Sequence, residues 1–65
     1  MTVKELVKQA QDEGVKLNFI GVVGRNDRWV DAELEYPDEF LETNGDKEVF
    51  DCAYQKTQKI LVIKF

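Results

Sequence analysis

Asp31, Glu33 and Glu35 alternate along "DAELE", and Asp38, Glu39 and Glu42 follow closely. Carboxylates in this number invite two chemistries: acid–base cleavage of a glycosidic bond, and binding of a hard cation. On a strand, side chains at i and i+2 stand ~7 Å apart. That is awkward for one calcium ion, whose oxygen ligands must come within about 2.3–2.6 Å. No D-x-[DN]-x-[DN]-G loop is present. A two-carboxylate glycosidase geometry is conceivable, but a 65-residue chain offers little cleft to enclose a sugar.

The other reactive groups are few. The chain has no histidine and no serine, so a Ser-His-Asp triad and a Cys-His dyad are both excluded. The usual general base at neutral pH is also absent. Cys52 has Asp51 and Glu48 as acidic neighbours in sequence, which raise a thiol pKa rather than lower it. Its position between Phe50 and Tyr54 predicts a small buried hydrophobe. "GVVG" at 21–24 is neither a P-loop nor a dinucleotide fingerprint. It reads as a strand end and a turn. No catalytic, metal-binding or cofactor-binding residue is expected, and the chain reads as a non-enzyme.

Charge is unevenly placed. The net charge is −4, but residues 27–51 hold ten acids and two bases, a segment of −8. The remaining residues hold seven bases and three acids, or +4. An acidic chain does not bind DNA through a generic basic stripe, so no direct nucleic-acid contact is expected.

A single cysteine excludes an internal disulfide and points to a reducing compartment. The N-terminus lacks the apolar core of a signal peptide. No apolar run approaches the ~20 residues that span a bilayer. These features predict a cytoplasmic protein without a membrane contact. One small domain covers residues 1–65, and a domain this size has marginal stability. That raises a homodimer as an expectation.

The elements that must position these groups can be read from pattern. Thr2 and Glu5 have capping-box spacing, and Val3, Leu6, Val7 and Ala10 form one apolar stripe. Gly14 stops this helix. "KLNFIGVV" (16–23) reads as a strand, with Leu17, Phe19 and Val23 on one face and Asn18, Ile20 and Val22 on the other. "GRND" is turn chemistry, and residues 28–36 read as the second strand of a hairpin. Pro37 closes that strand and suits the first turn of a short helix over 37–44, with Asp38 and Glu39 at its positive end. Residues 47–55 read as a third strand and 59–65 as a fourth. The fourth is apolar on both faces until Lys64, as in a covered central strand.

The expected fold is therefore α+β: an N-terminal helix packed on a four-stranded, mainly antiparallel sheet, in the order α-β-β-(short α)-β-β. One helix covers one face. The other face needs the 37–44 segment, a second copy or a partner.

By strand parity Trp29 falls with Asp31, Glu33 and Glu35. Together with Asp38, Glu39 and Glu42 these residues form a candidate partner-binding face: an aromatic anchor rimmed by charge. Its sign favours a protein partner with a basic surface. A regular row of carboxylates could also imitate phosphates, which makes a DNA-mimic inhibitor of a nucleic-acid-processing protein the alternative. A structural subunit of a larger assembly is a further alternative. The plainer reading is a solvated strand face. In that case Trp29 turns inward at a bulge or folds over Arg25 and Arg28.

The layout resembles the small acidic accessory proteins of Gram-positive phages, plasmids and integrated elements. The parts that carry this are the "TVKELVKQAQ" helix, the acidic middle with "PDEFLE", then "KEVFDCAY" and the closing "KILVIKF". The resemblance implies a function through protein contacts, often regulating or countering host machinery. It carries over no site residue.

Overall fold

A computed structural model describes residues 1–65. The chain runs α1 (Val3–Asp12), β1 (Phe19–Val23), a 3-10 turn (Trp29–Asp31), β2 (Glu33–Glu35), α2 (Pro37–Asn44), β3 (Asp51–Gln55) and β4 (Ile60–Lys64). The α+β class, the two helices and the four strands follow the pattern read from sequence. The sheet is mixed rather than mainly antiparallel. Its order is β2-β1-β4-β3, and its central pair, β1 with β4, is parallel. The outer pairs, β1 with β2 and β3 with β4, are antiparallel. A parallel pair needs a long crossover, here the whole stretch through β2, α2 and β3.

α1 starts where its cap predicts. The Glu5 amide donates to Thr2 Oγ1 at 3.3 Å, and the Thr2 amide donates to Glu5 Oε1 at 3.0 Å. The Thr2 amide, and then the Thr2 hydroxyl donating to the same Oε1 at 3.0 Å, hold the Glu5 carboxyl below its ordinary pKa. Stabilisation from a lowered carboxylate is present above its unfolded pKa and is lost as pH falls through the folded value. The urea midpoint should therefore fall in acid less for Glu5→Gln than for the parent chain. Equal acid sensitivity of the two would contradict the capping box.

Gly14, at φ 80°, ends α1. Val15 N–H donates to the Ala10 carbonyl at 2.9 Å and Gly14 N–H to that of Gln11 at 3.0 Å, a Schellman closure.

Both helices pack on one face of the sheet. Val3 and Val7 from α1 and Phe40 from α2 bury against Ile20, Leu61 and Ile63. The 37–44 segment is thus a helix, as read, but it does not cover the second face. That face is partly covered by residues 24–32, whose Trp29 and Ala32 pack with Phe19 on Val23, Ile60 and Val62. Gly21 lies beneath them. A Cβ built there would come within 3.0 Å of Ala32 Cβ, 3.2 Å of Leu34 and 3.3 Å of Val62. The absent side chain lets this segment close on the sheet.

Three strands are shorter at their starts than the pattern implies. Residues 47–49 leave the sheet to pair with the N-terminal segment, with Val3 N–H donating to the Lys47 carbonyl at 2.9 Å and Val49 N–H to that of Met1 at 2.9 Å. Residues 15–18 precede β1, so Leu17 joins the helix-side core instead of following Phe19. Residues 28–32 are not strand at all, because the 3-10 turn interrupts them.

The β3–β4 turn (56–59) is clamped by Asn18, whose amide donates to the Lys59 carbonyl at 2.8 Å. Lys59 takes φ 57°, a left-handed conformation that costs an L-residue ~1–2 kcal/mol. Glycine adopts it freely but adds unfolded-state entropy. Lys59→Gly is therefore expected to stabilise the fold by about 0.5–1 kcal/mol in urea unfolding. A loss of stability would contradict the turn geometry. No helix is long and apolar enough to cross a membrane.

Candidate interaction surface

β2 is an edge strand, and Glu33, Leu34 and Glu35 are all exposed. Glu33 pairs with Val22 and Glu35 with Ile20, the β1 residues on the helix side, so both carboxylates project to that side. Leu34 pairs with Gly21 and points to the opposite side. α2 follows after Tyr36. It buries Phe40 and turns Asp38, Glu39 and Glu42 outward. Glu33 and Glu35 thus lie on the helix side of the β2 edge, and Asp38, Glu39 and Glu42 lie on the helix that follows it, where Asp38 and Glu42 border a depression with Lys4 of α1.

Trp29 is not among them. The 3-10 turn shifts the phase of the chain, so the arrangement of Trp29 with the acids on one strand face does not form. Trp29 is half-buried on the opposite side of the sheet, against Val23, Ile60 and Val62. The Lys64 ammonium lies 4.3 Å from its ring centroid. The cation over Trp29 is therefore this lysine, not Arg25 or Arg28. Arg25 stacks on Phe50 at 4.1 Å and donates from Nε to the Phe65 carbonyl at 3.0 Å. Asp31 ends the 3-10 turn and is exposed.

These carboxylates have no cationic partner in the chain. The sole ion pair joins the Met1 ammonium to Glu48, at 2.9 Å. Three of the nine bases rest on aromatic rings instead: Arg25, Lys47 and Lys64. Lys16, Lys56 and Lys59 border a depression beside Tyr54, on β3 at the far edge of the sheet from β2. Glu33 and Glu35 therefore lie on one edge of the sheet and these three lysines beside the other, although Asp51 also lies on β3.

Trp29, Val30, Ala32 and Leu34 form one wall of a groove on the open face, with Ile60 and Val62 behind. Val30 is 77% exposed and Leu34 49%. The groove holds about 220 Å³, below the ~300–1,000 Å³ of small-molecule sites. It has room for a side chain rather than a metabolite. Sequence reasoning did not single out Val30 and Leu34, because strand parity only sets them on the face opposite the acids.

Cys52 is exposed, contrary to the buried hydrophobe expected. It pairs with Ile63 on the helix side, but β3 is an edge strand and the helices do not reach over it. Phe50 and Tyr54 are exposed there too. Partial burial, and then the Asp51 carboxylate, push the Cys52 thiol pKa up, which leaves little thiolate at neutral pH. No group of three or more Cys, Asp or Glu side chains converges to hold a metal ion. Comparison with protein-family models, with curated proteins and with solved structures finds no match.

Proposed function

We propose that this chain is a non-enzymatic interaction module, encoded by a phage or mobile element and acting in the cytoplasm, whose acidic edge binds a protein with a basic surface. The observation that carries this is the unpaired carboxylate group Glu33, Glu35, Asp38, Glu39 and Glu42, exposed on β2 and α2 with no lysine or arginine in ion-pair contact. Internal pairing would have spent that field within the fold. Unpaired, it is free to steer and orient a cationic partner. The layout resemblance to acidic phage and plasmid accessory proteins agrees with a role through contacts.

Affinity capture from host lysate tests this. A protein with a Lys/Arg-rich surface should be retained at low salt and released at moderate salt, because screening shortens the reach of exposed charges to ~8 Å at physiological ionic strength. Retention only of apolar, salt-resistant partners would favour a structural subunit instead. A nucleic-acid-processing enzyme among the retained proteins, released by competing DNA, would narrow the proposal to a DNA mimic. Homodimerisation belongs to the same proposal, with the β3 edge as its surface, where Phe50 is 57% and Tyr54 39% exposed. Sedimentation at micromolar concentration should then show a dimer that persists in high salt, and a monomer throughout would remove it.

A further inference from the structure

The β2 edge places two different surfaces at alternate residues. Glu33 and Glu35 project to the helix side, and Leu34 projects to the groove side, where Val30 extends the apolar wall. β2 has a neighbour on one flank only. An antiparallel ladder bonds alternate residues of such a strand, and the remaining amides and carbonyls face solvent. A strand laid against this flank would send successive side chains to opposite sides with a period of two.

We propose that this edge accepts an extended peptide from the partner, one that alternates basic and apolar residues. Its Lys or Arg side chains lie beside Glu33 and Glu35, and its apolar side chains lie against the outer side of Leu34, part of the wall that bounds the groove. Main-chain hydrogen bonds to β2 supply affinity, and the alternation supplies register. This rests on the acidic edge being the binding surface, and it adds the conformation and pattern of what is bound.

Charge decides between occupants. A second copy paired through β2 would set Glu33 and Glu35 beside their own counterparts, and like charges across a strand pair repel. The same carboxylates that block self-pairing at an edge attract a basic strand.

The test uses synthetic peptides and the fluorescence of Trp29, the only tryptophan and one wall of the groove. One peptide alternates lysine with valine or leucine. A second has the same composition with lysines and apolar residues in separate blocks. A third is the alternating peptide N-methylated on the amides of one flank. The alternating peptide should shift Trp29 emission and bind at least about tenfold more tightly than the other two, as expected for losing two hydrogen bonds or the register.

Equal, salt-sensitive binding of the alternating and block peptides would overturn the strand-addition inference and leave the acidic edge standing. Binding by neither would overturn both. A Trp29 shift that tracks protein concentration without peptide would assign the edge to a second copy and overturn the inference as well.

Discussion

Phe40→Ala is expected to lower stability by about 3–5 kcal/mol. A 65-residue domain has about 3–10 kcal/mol in total, so a large part of the population should unfold in mild conditions. Phe40 is 0% exposed and sits in the one cluster that joins both helices to the sheet. Its ring stacks on Phe65, with centroids 6.2 Å apart and planes 1° from parallel. Truncation leaves a cavity between α1, α2 and β1 that a small domain cannot close without moving α2. Since α2 carries Asp38, Glu39 and Glu42, its detachment would also disperse the acidic edge. Phe40→Leu, which keeps most of the volume, should stay folded. Urea unfolding followed by circular dichroism measures both, and a loss under about 1 kcal/mol for Phe40→Ala, within the range of a volume-conserving swap, would contradict this account of the core.

The second large effect is expected on binding rather than folding. The variant E33Q/E35Q/E39Q/E42Q should lose at least about tenfold in affinity for a basic partner, since each removed charge weakens steering and contact together. Its stability should change little or rise, because exposed surface substitutions usually stay within about 0.5 kcal/mol and these carboxylates have no partner to lose. Binding and stability therefore separate in this variant and move together in Phe40→Ala. Titrating both variants against one captured partner, with an unfolding curve for each, distinguishes a binding surface from a merely solvated one.

Local chemistry made several elements legible. Thr2, Glu5 and Gly14 mark both ends of α1, and Pro37 and Gly45 bracket α2. The apolar run 60–63 marks β4 as covered on both faces, and all four residues are buried. The parallel pairing of β1 with β4 was not legible, because pairing partners so distant in sequence leave no local signature. Trp29 was misplaced for a related reason. Parity holds only while a strand is continuous, and a three-residue 3-10 turn breaks the phase. What holds Trp29 in place, Lys64 and the Val23–Ile60–Val62 cluster, comes largely from the other end of the chain. Cys52 was misjudged because its parity is right but its strand lies outside the reach of the helices. The exposure of the acids Glu33 to Glu42 was legible as charge density, which survives small errors of phase.

The central claim is that the placement of charge, not its sum, makes the binding surface. It is tested most directly by charge isomers. Adding K16E and K56E to the four-glutamine variant returns the net charge to that of the parent, −4, and moves the acids to the opposite edge of the sheet. Retention on an immobilised peptide that alternates lysine and leucine is then compared at low salt. The parent should be retained and the isomer should elute early. Equal retention of the two would show that net charge alone governs binding and would contradict the acidic edge as a site.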